Sequence, residues 1–465
     1  MNEIFSAKAN MTAITQQIED GLNSILDALS KLQWTDIPKD VQYKAALIFA
    51  DDLSAITAAS SQRELQQFLQ QLISFSGPAE STLFNNSQAL VDRYTAALAN
   101  GSSGTWCEVD TGYLPAVCHA SLYCLPAILA EGEAMGNTVE EMLEAFLYGY
   151  EIIARLARTF EYDDLILHPH GSLAAVGSVT AVSFLRKFPK QKIIDAICTA
   201  ATLVNPGPFQ HAVDGGLIRN IWAGIGASNG LRAADLTNFG ITGTHKSLYN
   251  VFVENFGARV NADCLVPEPK FEWAVMQSYH KQFACCQYSH SAIEAVLKIL
   301  SKMGPKPDYK AIEKIRLKTH WRGKLLSNLE PKTTLAAKFS MEHILATSIY
   351  HGSANVEAFN LETLSNQDIK ELRSKVDMYL YDPEPMSPND RPAEVSIQLS
   401  DGKKYTHECL IAEGSASKPF TNETVRHKIR CTLLDHYPKL NIPLSSILEL
   451  EELTLKAPWR DVLRE

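Results

Sequence analysis

Two histidines stand in segments whose other residues are mostly small or apolar. His119 follows Glu108 and Asp110 by about ten positions in GTWCEVDTGYLPAVCHASLYCLPAILAEGE, and it comes where a helix should begin. His168 precedes Pro169, a residue suited to the first turn of a helix. The positive end of that helix disfavours an imidazolium, so His168 could accept a proton near pH 7. A capping histidine near a loop carboxylate, or a structural histidine at a helix start, explains these segments equally well.

Two basic residues could complete such a site. Arg219 lies in GGLIRNIWAG before an apolar helix, and Lys281 lies in YHKQFACCQYSH. Most basic side chains are simply solvated at the surface. Beside two histidines, however, they would supply what a reaction of a di- or tricarboxylate needs. The cations would hold carboxylates and stabilise an enolate, and an imidazole would move the α-proton.

The patterns that could bind a cofactor fail on spacing. The glycines of GIGASNG lie in a helical pattern with no strand before them, which favours close helix packing over a dinucleotide loop. Cys285 and Cys286 are adjacent, and His168 and His170 lack a nearby third donor, so neither pair has the spacing of metal ligands. We therefore expect no metal and no coenzyme.

The scaffold of these residues is predicted to be mainly helical. Apolar residues recur at helical spacing over 12–33, and Pro38 opens a second helix. The same texture returns in VEEMLEAFLYGYEIIARLARTF, SLAAVGSVTAVSFLRKF and IRNIWAGIGASNGLRAADL, where several helices are apolar on nearly every face. Such helices belong inside a large helical domain.

The pattern changes after about Pro267, where residues 312–320, 376–382 and 393–412 alternate between polar and apolar as strands do. The last stretch contains a hairpin turn at Asp401-Gly402. We predict a mostly α protein with three parts. These are a helical domain over 1–266, a smaller α+β lid domain over 267–415, and C-terminal helices over 416–465 that return to the first domain. Two crossings between domains would make a hinged cleft, a common place for a ligand.

Composition excludes several classes of function. The 465 residues carry 43 Lys+Arg against 53 Asp+Glu, the wrong sign for a protein that binds nucleic acid by neutralising phosphates. Apolar runs such as AALIFA are far shorter than the roughly 20 residues that cross a bilayer, so we expect no membrane partner. The N-terminus does not look like a secretion signal, and nine cysteines fit reduced thiols better than a disulfide framework. We expect a cytoplasmic protein.

Seven segments, taken in chain order, resemble the MmgE/PrpD family. EVDTGY with CHASLYCLPAILAEGE is similar to ELDDGH followed by HPG…LPA.LA.AE, LHPHGSLAAVGSVTA to GxHPTGTAGTFGAA, and KQFACCQYSHSAIEAV to KxYPCCxxxHxAIDA. The other four are LSKLQWTDIPKDVQYKAALIFADDLSA, IRNIWAGIGASNGLRAADL, AAKFSMEHILATSI and LSDGKKYTHECLIAEGSASKPFTNETVRHKI. The resemblance covers nearly the whole chain.

This resemblance implies a large helical domain, a smaller α+β lid, a cofactor-free active site in the cleft and a homodimer. It places the active-site carboxylate at Glu108 with Asp110 beside it, the two histidines at His119 and His168, and the lid lysine at Lys281.

Four positions depart from the family pattern. Arg219 replaces the lysine of the family's VKR segment, and His343 replaces the tyrosine of its FSMPY segment. His170 stands where the family usually has a small hydroxyl residue, and Thr111 replaces the second acid of ELDD. Arginine holds a carboxylate well but is a poor proton donor. Histidine titrates near neutrality where tyrosine does not, which alters the proton inventory of the cleft.

We therefore expect a cofactor-independent lyase, a dehydratase or a decarboxylase, that acts on a small di- or tricarboxylate related to citrate or aconitate. The predicted catalytic residues are His119, His168, Lys281 and Glu108, and the predicted substrate-binding residues are Arg219, Asp110, His343 and His170. Two alternatives stay open. One is an epimerase of a dicarboxylate in the same fold, and the other is a catalytically degenerate member that binds a carboxylate ligand or a protein partner.

Overall fold

A computed structural model describes residues 2–85, 87–268, 270–305, 307–386 and 391–464, with side chains described from Met11 onward. Helices dominate, and the strands are few and mostly short. This confirms the predicted fold class, a mostly α protein with a smaller α+β region.

The helices lie in three groups along the chain. The first group is α1 (Asn2–Leu29), α2 (Lys39–Ala58), α3 (Arg63–Ser74), α4 (Arg93–Trp106), α5 (Ala120–Met135), α6 (Val139–Thr159), α7 (Pro169–Ser172), α8 (Ala174–Leu185), α9 (Lys190–Ala201), α10 (Gln210–Asp214) and α11 (Trp222–Asn238). The second is α12 (His290–Met303), α13 (Trp321–Lys324), α14 (Thr334–Lys338), α15 (Met341–His351), α16 (Leu361–Ser365) and α17 (Gln367–Ser374). The third is α18 (Asn422–His436), α19 (Asn441–Leu448), α20 (Glu452–Lys456) and α21 (Trp459–Val462).

The strands form one four-stranded sheet and three two-stranded pairs among the described residues. The short ones are β1 (Ser81–Thr82), β2 (Leu90–Val91), β3 (Gly112–Tyr113), β4 (Phe160–Glu161), β5 (Arg259–Val260) and β6 (Ser278–Tyr279). The larger sheet is built from β7 (Ile312–Thr319), β8 (Val376–Leu380), β9 (Ala393–Leu399) and β10 (Lys404–Cys409) in the order β10-β9-β7-β8. All three predicted strand regions are therefore confirmed, and the predicted hairpin turn joins β9 to β10.

The centre of the helical part is α8, which is buried at every position except Phe184. It packs against α5, α6 and α11, which explains why its sequence is apolar on nearly every face. The three glycines of GIGASNG lie in α11, where a β-carbon on Gly224 would lie 2.1 Å from the carbonyl oxygen of Leu98 in α4. The prediction of close helix packing for this motif is confirmed.

Two apolar cores follow from this arrangement. The larger core joins the first group of helices to the C-terminal ones, because Val425, Ile429 and Trp459 are buried in it. The second core lies between the four-stranded sheet and α12, α15 and α17. The exact domain boundaries stay a prediction. No helix in the described ranges combines the length and apolar character needed to cross a membrane.

Candidate active site

A short pair of strands brings the two halves of the predicted site together. The segment that follows α4 carries Glu108 and Asp110 and runs into β3. Strand β3 pairs antiparallel with β6, so that Gly112 lies opposite Tyr279, two residues before Lys281. Residues more than 160 positions apart in the sequence thus meet at one place.

Four buried charges form the centre of the site. The Lys281 ammonium lies 3.3 Å from Oε2 of Glu108 and 3.2 Å from Oδ1 of Asp110. Arg219, in a single helical turn before α11, donates from Nη1 to Oε1 of Glu108. All four side chains are buried, and their formal charges cancel.

Mutual attraction keeps these groups ionised. Burial alone would raise the pKa of Glu108, but the charges of Arg219 and Lys281 outweigh it and hold that pKa below its ordinary value. The pKa of Asp110 is likewise lowered, because Lys281 and His119 outweigh the effect of burial. The pKa of Lys281 is raised, since the two carboxylates overcome its desolvation.

His119 is oriented by one of these carboxylates. It precedes α5, but its side chain makes no capping bond, so the capping interpretation of this residue is wrong. Its Nδ1 lies 2.6 Å from Oδ2 of Asp110 instead. Because an ionised carboxylate only accepts hydrogen bonds, Nδ1 of His119 carries a proton. The carboxylate thus orients the ring, and Nε2 is left as the nitrogen that can take up or release a second proton.

His168 is a different kind of histidine. Its Nδ1 faces the backbone N–H of His170 at 3.2 Å, which caps α7, and its Nε2 faces Nε–H of Arg219 at 3.1 Å. A neutral imidazole carries one N–H, so His168 accepts a hydrogen bond at only one of these two nitrogens, and an added proton on that nitrogen would also face a donor. Burial, and then the charge of Arg219, holds the pKa of His168 well below its ordinary value. The expected neutral imidazole is present, but burial and Arg219 account for it more than the four-residue helix α7 does.

His170 lies behind the other two histidines. Its ring centroid is 4.8 Å from that of His119 and 4.4 Å from that of His168. The Nδ1 atom is 3.0 Å from the hydroxyl of Tyr123, while Nε2 has no partner among the described residues. His170 therefore packs against the catalytic candidates without lining the cavity described below.

The structure does not bring His343 into this cluster. It lies in α15, with Nδ1 3.1 Å from Nη1 of Arg373 and Nε2 3.4 Å from the hydroxyl of Thr363. Burial, together with the charge of Arg373, lowers its pKa to about 3. Its ring is thus held by the second group of helices, away from the other predicted site residues.

A small cavity lies at the meeting point of Glu108, His119, His168, Arg219 and Lys281. Its accessible volume is about 40 Å³, enough for a few water molecules but not for a molecule the size of citrate. Its remaining walls include Tyr113, Phe209, Tyr279, Cys286, Tyr288 and Phe339. A larger cavity of about 350 Å³ adjoins it at Ala116 and Val117. A ligand the size of citrate can reach the cluster only if the small cavity widens.

Sequence reasoning missed the aromatic walls of this cavity and one basic residue, of which Phe339 and Arg391 are examples. The ring of Phe339 lies under the guanidinium of Arg219, 5.0 Å from ring centre to Cζ. It stands in AAKFSMEHILATSI, so the signal was present in a segment that resembles the family. Arg391 lines the cavity from a polar loop before β9, where no periodicity or motif marks it.

The cluster holds no group of three or more His, Cys, Asp or Glu side chains with metal-binding geometry, and the same is true of all the described ranges. What the site does combine is two cations, one carboxylate and two imidazoles around one cavity, with the carboxylate of Asp110 paired to Lys281 beside it. That set can bind an anion and move a proton.

Comparisons with known proteins agree with this picture. The model of the MmgE/PrpD N-terminal domain matches residues 23–252, and that of the MmgE/PrpD C-terminal domain matches residues 283–442. Cis-aconitate decarboxylase of Homo sapiens is 23% identical over 380 residues, which cover 77% of this chain and 76% of the relative. Cis-aconitate decarboxylase of Mus musculus is 23% identical over 374 residues, 77% of this chain and 75% of the relative. Because the two domain models match most of its length, the chain belongs to the MmgE/PrpD family.

Proposed function

We propose that this protein is a cofactor-independent lyase, a dehydratase or decarboxylase, that acts on a small di- or tricarboxylate of the citrate or aconitate type. The observation that carries the proposal is the convergence of Arg219 and Lys281 with His119 and His168 on one cavity. The relatives named cis-aconitate decarboxylase support the same class of substrate.

Binding falls to the two cations. Lys281 and Arg219 already hold Glu108, so a substrate carboxylate would share or displace that carboxylate. Arg219 can meet an incoming carboxylate with two parallel N–H groups. The same charges would stabilise the enolate that forms next to that carboxylate.

Proton transfer falls mainly to His119. In a dehydration its Nε2 takes the α-proton and the C–H electron pair forms an enolate. The C–O bond then breaks, and the leaving hydroxide takes that proton from His119 and departs as water. In a decarboxylation the bond to CO2 breaks, its electron pair enters the conjugated acid, and the protonated His119 delivers a proton to carbon. Asp110 would stabilise the imidazolium in both cases. His168 stays neutral and accepts a hydrogen bond from Arg219 or from substrate.

A second candidate, a member that binds carboxylates without turning them over, is favoured by one observation. The charges of both cations are already balanced by the chain's own Glu108 and Asp110, and the cavity is closed to a molecule of citrate size. Such a protein would be stabilised by a tricarboxylate and would form no product.

The test replaces His168 with Gln and Lys281 with Met and measures turnover on a panel of citrate-like acids. Release of CO2 and formation of conjugated double bonds separate decarboxylation from dehydration. The matched controls are His245→Gln and Lys439→Met, which change exposed residues outside the cluster. Loss of turnover in the two site variants alone supports the lyase. Equal rates in all four folded variants contradict it, and stabilisation of the parent protein without product supports the binding protein.

A further inference from the structure

Behind the candidate active site lies a second set of charged side chains that no step above has used. Lys44 and Asp51 come from α2, His280 precedes Lys281, and Lys428 comes from α18. We call Lys44, Asp51, His280 and Lys428 the rear network. Asp51 and His280 are buried, and the side chain of Lys428 is 21% exposed.

The hydrogen bonds of the rear network have one consistent direction. The Lys44 ammonium can only donate hydrogen bonds, and it lies 2.9 Å from Nε2 of His280. Nε2 therefore accepts, and Nδ1 carries the proton of the ring. That Nδ1 donates to Oδ2 of Asp51 over 2.7 Å. Lys428 lies 2.8 Å from Oδ1 of Asp51. The ring of His280 thus has a single arrangement of protons, and Lys428 adds an ion pair to the carboxylate that accepts from it.

The same lysine also holds the active-site segment. Lys428 donates to the carbonyl oxygen of Val109 over 2.8 Å, and Val109 stands between Glu108 and Asp110. On the far side of Asp110, the backbone N–H of Thr111 donates to Oδ1 of Asp52 over 2.6 Å. The acidic segment is therefore held at its middle by Lys428 and, after Asp110, by the side chain of Asp52.

This segment needs such support. Glu108 has a φ of 56°, in the left-handed region that a residue with a β-carbon rarely adopts. Strained backbone persists only where its surroundings hold it in place. The other half of the site is held by the same network, because His280 is the chain neighbour of Lys281. One network therefore fixes both the carboxylates and the ammonium that pairs with them.

We propose that Lys428 is a positioning residue, and that the rear network sets the distance between the Glu108–Asp110 segment and Lys281. The C-terminal helix α18 thereby completes the active site without touching substrate. The kinetic part of this inference rests on the proposed lyase function, whereas the positional part does not.

The test replaces Lys428 with Met. This change removes the ion pair with Asp51 and the hydrogen bond to the carbonyl oxygen of Val109. Lys439→Met is the matched control, an exposed lysine in the same C-terminal region. Lys428→Arg keeps the charge and should restore most of the lost function. Lys428→Gln takes the place of the Met variant if that variant does not fold, because it removes the charge but keeps a donor for Val109.

The first readout needs no substrate. In NMR spectra of protein labelled at histidine, the proton on Nδ1 of His119 reports the bond to Asp110. We expect its signal to shift or broaden in Lys428→Met and to stay in place in Lys439→Met.

The groups that face the ring of His280 are Asp51, Lys44 and, through Asp51, Lys428. Burial and these two lysines lower the pKa of His280 to about 4 against the pull of Asp51. Removing Lys428 should raise the pKa of His280, because one of the positive charges that lower it is lost.

The second readout is turnover. A misplacement of about 1 Å costs roughly 10²-fold in rate, so kcat of Lys428→Met should fall by about that factor while KM changes less. An unchanged His119 signal with unchanged kcat in the folded variant overturns the proposal. If the parent protein turns over none of the acids, the lyase function fails by itself. The His119 signal then decides the positioning role, and an unmoved signal overturns it.

Discussion

At the scale of single residues, the site is a balance between buried charges. Lys281 pairs with both carboxylates, Glu108 and Asp110, whereas Arg219 pairs with only one of the two, Glu108. Removing one partner of a buried pair costs about 3–5 kcal/mol, because it leaves a charge without compensation. Asp110 has a further role, because it also orients His119. Its charge and its shape can be separated by substitution.

Asp110→Asn keeps the shape of the side chain and removes its charge. We expect kcat to fall by about 10²-fold or more, because the imidazolium of His119 loses its counter-charge and the ring can adopt the other tautomer. KM should change less. Steady-state kinetics on an acid of the panel that the parent protein turns over measure both constants, and Asp435→Asn on the exposed face of α18 is the control. A kcat within twofold of the parent value would remove Asp110 from the mechanism.

At the scale of elements, the pair of β3 and β6 sets the geometry of the site. Each strand has only two residues, too short for any periodic pattern, and the pairing joins positions 112 and 279. Sequence patterns therefore predict α5 and α6 but not β3 and β6, because pairing over that distance is decided by the packed fold. The close contact of the pair is visible at Gly112. A β-carbon there would lie 2.2 Å from Cζ of Tyr279.

Gly112→Ala should therefore separate the two strands. Overpacking of this kind costs about 1–3 kcal/mol, and the shift should move the carboxylates away from Lys281. We expect a lower melting temperature together with turnover reduced at least about tenfold. Gly77→Ala is the matched control, because its new β-carbon would lie an ordinary 3.4 Å from Cβ of Asp92. A variant at Gly112 that is as stable and active as the parent would show that the contact relaxes freely.

At the scale of the whole molecule, residue chemistry and family resemblance predict different parts of the site. The order of the segments was enough to place His119, His168, Arg219 and Lys281 together. It was not enough for His343, because the rotation of α15 about its axis depends on packing against Arg373 in α17, which no local pattern records. The cause of the low pKa of His168 was also hidden, since burial and contact with Arg219 are tertiary properties.

Burial of histidines also sets how the stability of the whole protein depends on pH. Five buried histidines have a lowered pKa, namely His168, His170, His280, His290 and His343. In the unfolded chain their pKa is about 6.5. Below that pH the histidines bind protons in the unfolded state but not in the folded state, which favours unfolding. The stability that depends on their neutral form is therefore fully present above about pH 7. It is lost as pH falls towards the folded values, about 4 for His280 and about 3 for His290.

We expect the free energy of unfolding to fall when the pH is lowered from 7.5 to 5.5. Each of these histidines contributes about 1.4 kcal/mol per pH unit in the middle of its window. Asp52 has the opposite effect on stability, because burial and then the charges of Asp110 and Asp51 raise its pKa to about 7. Its contribution to the free energy of unfolding therefore falls as the pH rises. Burial also raises the pKa of Glu133, Glu144 and Glu151, which act in the same direction as Asp52, but we expect the five imidazoles to outweigh these carboxyls. Urea unfolding across this range measures the slope, and His343→Gln should flatten it where the exposed His245→Gln does not. A stability that is level or greater at pH 5.5 would mean that the buried rings accept protons in the folded protein.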